Sequence, residues 1–114
     1  MTDERALSQR HCKPCTGGAA PLTRAEAQAT LSQMAGWELN EDGKLISRRF
    51  QFKNFSATMA FINAMAEISN AEDHHPDFSA GYNYCRVNYT THAIGGLSEN
   101  DFICAAKVTA LLNN

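Results

Sequence analysis

Several features that would place this sequence in a broad class are absent. Ten lysines and arginines face twelve acidic residues, so the net charge of −2 lacks the basic excess of proteins that bind nucleic acids or anionic membranes. No apolar run approaches the roughly 18–20 residues that span a bilayer, and no apolar stretch follows the first residues as in a secretory signal. We therefore expect a cytoplasmic protein whose four cysteines are thiols rather than disulfides.

Signatures of metal and nucleophilic chemistry are also scarce. Neither H-E-x-x-H nor H-x-x-x-H occurs, and no G-x-S-x-G marks a nucleophilic serine. One C-x-x-C pair, Cys12 and Cys15, is present, but no strand or helix frames it as a redox motif, and with His11 it offers three zinc ligands where four are needed. We favour a flexible N-terminal tail over residues 1–20, keep a metal or redox role as the lesser alternative, and assign residues 21–114 to the folded domain.

What is present is the composition and patterning of one folded domain. With 44% hydrophobic and 19% charged residues among 114, a single modest core is expected. A capping box from Thr23 to Glu26 opens a first helix that we expect to stop at Gly36. The pattern that follows predicts strands over 37–39 and 45–52, a helix over 56–71, strands over 78–81 and 84–91, and a helix after the cap at 98–101.

This order of elements, αββαββα, predicts an α+β fold. Because helices are mixed with hairpins, we expect a four-stranded antiparallel sheet with three helices packed on one face. In the last strand Cys85, Val87 and Tyr89 share one face. Exposed hairpin edges would permit the sheets of two subunits to pair.

Three of the four histidines lie close together in the sequence. His74, His75 and Pro76 are consecutive, and His92 follows seventeen residues after His75. Proline requires the preceding helix to have ended, so the paired histidines occupy a constrained turn, while His92 falls at the end of a strand. Such ends tend to share one rim of a sheet, where sites collect. Asp101, nine residues after His92, is placed to orient an imidazole, to cap the last helix, or to do both.

Three imidazoles on one rim leave three interpretations open. Imidazole gives and takes a proton near neutrality, which favours acid–base catalysis with one ring as acid and another as base. A catalytic metal is less favoured, because His74 and His75 would crowd two ligands onto adjacent residues. Histidines that are only buried or capping, without catalysis, are the third interpretation.

A resemblance to a known family bears on this choice. Four segments are similar to segments of the pterin-4a-carbinolamine dehydratases: Glu72–Asp77, Tyr82-Asn83, Thr91-His92 and Gly96–Asp101. The resemblance as a whole covers about residues 22–112. Residues 100–107 resemble the bacterial branch in particular. The resemblance implies a hydro-lyase that dehydrates 4a-hydroxytetrahydropterin (4a-hydroxytetrahydrobiopterin) to quinonoid dihydropterin and water, recycling the pterin of aromatic amino-acid hydroxylases.

The resemblance also implies which residues form the site. It makes His74, His75 and His92 catalytic, with His74 and His92 as the candidate acid–base pair, and Asp101 the supporting carboxylate. The pterin is the substrate, so neither a metal nor an organic cofactor is implied. The implied assembly is a homodimer or homotetramer; the net charge, rather than the resemblance, is the reason we expect no nucleic-acid or membrane partner. The implied substrate-binding residues are His74, His75, Pro76, Thr91, His92, Ala93 and Ile94.

One departure from the family pattern keeps alternatives open. Relatives often carry an ionisable residue four positions before the first histidine, where this sequence has Asn70. An amide cannot stabilise an imidazolium by charge, so Glu67 or Glu72 is the candidate substitute. One alternative function is a non-catalytic dimerisation or regulatory module of the same fold, as some members assist a transcription factor. Another is an enzyme acting on a related pterin of molybdenum cofactor metabolism.

Overall fold

The computed structural model describes residues 4–14 and 17–113, which form helices around a four-stranded sheet. The helices are α1 (Glu4–Ser8), α2 (Arg24–Leu31), α3 (Phe55–Glu72) and α4 (Glu99–Ala110); the strands are β1 (Glu38–Leu39), β2 (Ile46–Gln51), β3 (Asp77–Ala80) and β4 (Tyr84–Tyr89). Short 3₁₀ helices cover His92–Ile94 and Leu111–Asn113. From α2 onward the order is the predicted αββαββα, and the predicted α+β fold is confirmed.

The sheet is antiparallel throughout, in the order β1-β2-β4-β3. Along β4 the side chains of Cys85, Val87 and Tyr89 are buried, whereas the residues between them are exposed or half-buried. This alternation confirms the predicted parity and leaves one face of the sheet against the core. β3 lies at the edge, and all four of its residues are exposed.

Local capping signals place the start of α2 but not its end. The Thr23 hydroxyl accepts a hydrogen bond from the Glu26 amide at 3.1 Å, and Glu26 Oε1 accepts one from the Thr23 amide at 2.9 Å, as the capping box predicts. The helix ends at Leu31, whereas we expected it to continue to Gly36. Met34, three residues beyond this end, is nevertheless buried. Apolar spacing thus predicts which side chains face the core, but it does not predict where the helical hydrogen bonds stop.

The core is centred on α4, which is the most buried helix of the described chain. Trp37 donates from Nε1 to Thr109 Oγ1 on this helix at 2.9 Å, and its ring lies edge-on to Phe50 with centroids 6.0 Å apart. The burial of Asn100, Asp101 and Phe102 fixes the first turn of α4 relative to the sheet. No helix in the described ranges is both long and apolar enough to cross a membrane.

The N-terminal segment differs from the expectation of a tail without secondary structure. α1 packs against α4 with Leu7 buried between them, and Lys107 Nζ on α4 donates to the Ser8 carbonyl at 2.9 Å. A five-residue helix with one buried side chain is too short to show a periodic pattern, so the sequence gives no sign of it. Cys15, the second cysteine of the C-x-x-C pair, lies outside the described residues.

Candidate active site

A cleft of about 550 Å³ lies where the end of α3, the end of β4 and the start of α4 meet. All three histidines singled out in the sequence line this cleft, although they come from two separate loops. Volumes of this size suit small organic ligands. The other lining residues come from the same elements and from the N-terminal segment: Cys12, Lys13, Pro14, Ala71, Glu72, Asp73, Thr90, Thr91, Ala93 and Asn100.

A left-handed residue at the end of α3 turns the chain into the cleft. Asp73 has φ 51° and ψ 43°, a conformation that non-glycine residues seldom adopt and that aspartate tolerates better than most. The amide of His74 then donates to the carbonyl of Ser69 at 3.2 Å, which closes the last turn. Pro76 keeps the helix from resuming. His74 and His75, which lie between Asp73 and Pro76, are therefore held at the rim of the cleft.

His74 is fixed in orientation by a buried carboxylate and by an aromatic ring. Its Nε2 lies 2.6 Å from Oδ1 of Asp101, and the side chains are 13% and 0% exposed, respectively. The imidazole also stacks on Tyr89, with ring centroids 5.9 Å apart and planes 8° from parallel. A hydrogen bond shielded from water is strong and directional, so one edge and one face of the imidazole are both constrained.

The second carboxylate oxygen of Asp101 holds the start of α4. Oδ2 accepts hydrogen bonds from the Thr91 hydroxyl at 2.8 Å and from the Ser98 amide at 2.9 Å, completing a capping box with Ser98. Asp101 therefore orients an imidazole and caps a helix at once, using one oxygen for each role. Because Thr91 precedes His92 in the chain, this single carboxylate also connects the two histidine-bearing loops.

The other two cleft histidines are exposed. His92 begins the 3₁₀ helix after β4, and its nearest carboxylate is that of Asp77, with Nε2 and Oδ2 3.9 Å apart. These side chains are 81% and 78% exposed, and the separation is too long for a direct hydrogen bond. His75 is also exposed. The structure therefore gives the cleft one fixed imidazole and two that face solvent.

The remaining predicted residues fall into two groups. Thr91 and Ala93 line the cleft, whereas Pro76 and Ile94 adjoin it without contributing to its surface. Asn70 is exposed on α3 and also lies outside the lining. Within residues 4–14 and 17–113, no three histidine, cysteine, aspartate or glutamate side chains are grouped so that they could hold a metal ion.

One wall of the cleft, formed by residues 10–14, was not predicted from the sequence. We call this segment the N-terminal strap. Asn100, buried in the first turn of α4, accepts a hydrogen bond from the Lys13 amide at 3.0 Å and donates one to the Lys13 carbonyl at 2.6 Å. Arg10 forms an ion pair with Glu99 at 2.8 Å. The partners are 87 and 89 residues apart in the sequence, so no local pattern could reveal them.

Glu72 anchors this strap. The imidazole with which it pairs is that of His11, which does not line the cleft. Oε1 of Glu72 accepts a hydrogen bond from the Cys12 amide at 2.7 Å, and Oε2 lies 2.9 Å from His11 Nδ1 and 3.8 Å from Lys107 Nζ. Burial raises the pKa of Glu72, but the hydrogen bonds from Cys12 and His11 and the charge of Lys107 outweigh it, so the pKa lies below its ordinary value of 4.5.

Comparison with known proteins connects this chain to one family. The family profile described as pterin 4 alpha carbinolamine dehydratase matches residues 20–111. A protein of Nitrosomonas eutropha is 60% identical over 98% of both chains, and one of Legionella pneumophila (strain Corby) is 53% identical over 93% of this chain and 95% of its own. Both carry the name "Putative pterin-4-alpha-carbinolamine dehydratase".

Two solved structures share the fold. A transcriptional coactivator/pterin dehydratase from Brucella melitensis superposes with a TM-score of 0.77 at 33% identity, covering 80% of this chain and 97% of its own. A pterin dehydratase-like protein, identified as a RuBisCO assembly factor in the alpha-carboxysome, superposes with a TM-score of 0.60 at 26% identity, covering 68% of this chain and 90% of its own. The N-terminal strap lies before the region that the family profile matches.

Proposed function

This chain belongs to the pterin-4a-carbinolamine dehydratase family, and from that premise we propose that it dehydrates 4a-hydroxytetrahydropterin to quinonoid dihydropterin by histidine acid–base catalysis. The observation that carries the proposal is the buried His74–Asp101 contact at the wall of a cleft that two further imidazoles share. Loss of water requires a proton delivered to the C4a hydroxyl and a proton removed from N5. A cleft with several imidazoles supplies both groups near neutral pH.

We assign the base to His74. A neutral imidazole that donates its Nε2–H to Asp101 keeps its lone pair on Nδ1, where it can accept a proton. The buried carboxylate then stabilises the imidazolium that forms. Asp101 also accepts hydrogen bonds from Thr91 and Ser98, which suits an ionised carboxylate with no proton of its own to donate.

We assign the acid to His92 and a binding or assisting role to His75. Both are exposed at the rim, so each can gain or lose a proton to solvent between turnovers. The leaving hydroxide is thereby released as water, and no metal or organic cofactor enters the proposed reaction. The product would return to an aromatic amino-acid hydroxylase as the metabolic partner, and the assembly we expect is a homodimer or homotetramer.

Replacing His74 with alanine tests the assignment. We expect His74→Ala to lower catalysed dehydration of 4a-hydroxytetrahydropterin by about 10²–10⁴-fold, as loss of a general acid or base does. Stopped-flow absorbance measures this above the uncatalysed background, while circular dichroism and thermal unfolding check the fold. The control is Glu41→Gln, in the exposed turn between β1 and β2 and outside the lining of the cleft, which should leave turnover unchanged.

Two results would contradict the proposal. Turnover of His74→Ala within about threefold of the wild type would remove His74 from the reaction. Activity that is lost on exhaustive chelation and restored by zinc would replace the acid–base mechanism with a metal-dependent one. Comparing turnover across pterins that differ in side chain separates the biopterin substrate from a related pterin.

Binding of a protein partner is the second candidate function. Of the two solved relatives, one is described as a transcriptional coactivator/pterin dehydratase and the other as a RuBisCO assembly factor. In this chain the edge strand β3 exposes Phe78, and Tyr82 is exposed in the turn that follows, a surface to which another strand could add. A wild-type protein with no pterin turnover that forms a stoichiometric complex with a purified regulatory protein would favour this function over catalysis.

A further inference from the structure

Two cysteine sulfurs meet where the N-terminal strap crosses α4. Sγ of Cys12 and Sγ of Cys104 are 3.4 Å apart, although 92 residues separate them in the sequence. A disulfide requires about 2.05 Å, so the two sulfurs need to approach by little more than an ångström. Cys104 lies on α4, whose packing fixes its backbone, and Cys12 lies on a strap that is held by hydrogen bonds.

The two thiols share a small hydrogen-bonded group with the start of α4. Cys12 Sγ can donate to the carbonyl of Asn100 at 3.7 Å, and either thiol can donate to the other. The hydrogen bond with Cys12 and then burial raise the pKa of Cys104, which therefore keeps its proton. Cys12 is half-buried and Cys104 is buried, so a small oxidant reaches Cys12 first.

We propose that Cys12 and Cys104 are a redox modification site, at which a reversible disulfide ties the N-terminal strap to α4. The oxidant we invoke is a hydroperoxide. Its O–O bond breaks as the sulfur of Cys12 is oxidised to a sulfenic acid and the alcohol or water leaves. The sulfur of Cys104 then attacks that sulfur. The S–S bond forms, the S–O bond breaks, and the hydroxyl leaves as water with the proton of Cys104.

The disulfide would fix one wall of the cleft. Cys12 and its neighbours Lys13 and Pro14 all line it, and in the thiol form the strap is held there by hydrogen bonds and by an exposed ion pair. A covalent link would prevent the strap from separating from α4. Its effect on entry and release of a pterin rests on the proposed function, whereas the linkage itself does not.

Peptide mapping tests the linkage directly. The reduced full-length protein is treated with hydrogen peroxide, remaining thiols are alkylated, and the non-reduced digest is analysed by mass spectrometry. We expect one cross-linked species joining the peptides that contain Cys12 and Cys104, lost on treatment with dithiothreitol, while Cys85 remains alkylatable after denaturation. Closing a loop of this length should also raise Tm by at least about 5 °C.

Two variants keep the test decisive. Cys12→Ser, on the strap, should abolish the cross-link without disturbing the core, and Cys85→Ala, a second buried thiol, should leave it intact. Trypsin cleavage after Arg10 should slow about tenfold on oxidation of the wild type and not change for Cys12→Ser. A link from Cys12 to Cys15, or oxidation of Cys12 that dithiothreitol does not reverse, would overturn the proposal. Because mapping needs no substrate, it fails or succeeds independently of dehydratase turnover.

Discussion

The buried pair His74–Asp101 and the exposed pair His92–Asp77 place the same two chemical groups in opposite environments. In the first pair the atoms are 2.6 Å apart and the carboxylate is fully buried; in the second they are 3.9 Å apart and both side chains are mostly exposed. Water screens the exposed pair, so its contribution to stability is about 1 kcal/mol or less. Burial, rather than the choice of residues, therefore decides which histidine has a fixed orientation.

A third pair, His11–Glu72, combines the two environments. Its carboxylate is 6% exposed and its imidazole 81% exposed. The buried carboxylate of Glu72 accepts a hydrogen bond from the Cys12 amide, so it helps to attach the N-terminal strap. The three pairs therefore have different roles, which follow their burial. The buried pair His74–Asp101 orients a cleft residue, and the half-buried pair His11–Glu72 attaches one wall of the cleft. The exposed pair His92–Asp77 leaves an imidazole accessible to a ligand.

The largest effect of breaking a pair is expected for Asp101→Asn. The amide cannot accept both from His74 Nε2–H and from the Thr91 and Ser98 donors, so His74 is driven to the other tautomer. We expect kcat/KM for 4a-hydroxytetrahydropterin to fall by at least about 10²-fold. The free energy of unfolding should fall by about 1–3 kcal/mol, measured by urea titration.

The matched control is Ser98→Ala, which removes a side chain of the same capping box without touching His74. This variant should lose about 1 kcal/mol of stability, while kcat/KM stays within about threefold of the wild type. If Asp101→Asn behaves like Ser98→Ala, then Asp101 acts only as a cap.

A smaller effect is expected when the Glu72 carboxylate is protonated. Its pKa in the folded protein is depressed below 4.5, so the strap contact is present above that pH and is lost as the pH falls through the lowered pKa. The basic groups that face this carboxylate are His11 and Lys107. The amide shift of Cys12 in ¹⁵N-resolved NMR spectra, titrated from pH 6.5 to 3, should report a midpoint below 4.5.

The Leu22 amide, which donates to the Leu97 carbonyl at 2.8 Å, is the internal reference for global unfolding. Glu72→Gln should abolish the Cys12 transition and leave the Leu22 signal unchanged. A Cys12 midpoint at or above 4.5 would show that the hydrogen bonds to this carboxylate do not favour its charged form.

The smallest effect is expected for Asp77→Asn. Because the pair with His92 is exposed and long, Tm should change by no more than about 1 °C and kcat/KM by no more than about twofold at low salt. We would compare turnover at low salt with turnover at 0.5 M salt, where the Debye length is roughly fivefold shorter. The difference measures any residual ion pairing. A tenfold loss would mean that this carboxylate orients His92 once a ligand is bound, and the contrast between the two pairs would then fail.

Much of the fold is encoded in local patterns. The capping boxes at Thr23 and Ser98 predict where two helices begin, and the alternation at Cys85, Val87 and Tyr89 predicts the buried face of β4. These features depend on neighbours within a few residues. The placement of three histidines on one cleft was anticipated by the position of Pro76 and by resemblance, since a turn and a strand end tend to share a rim.

The N-terminal strap could not be predicted, for a physical reason. Its fixation depends on contacts with Glu72, Asn100 and Cys104, which lie 60 to 92 residues away in the sequence. Such contacts produce no period and no motif. The C-x-x-C pair drew attention to Cys12 and Cys15, yet the thiol that Cys12 meets within the described chain is Cys104, which belongs to no recognisable sequence motif.

The shared use of Asp101 has a consequence for anyone who seeks a hardier form of this protein. Laboratory evolution for heat resistance commonly improves helix starts, and here that turn cannot be exchanged freely, because one oxygen of the same carboxylate is bound to His74. Screens for heat resistance and screens for catalysis would act on the same atoms. Gains in robustness have to come from other helix starts, such as that of α3, where Asn54 accepts from the Ala57 amide at 2.8 Å.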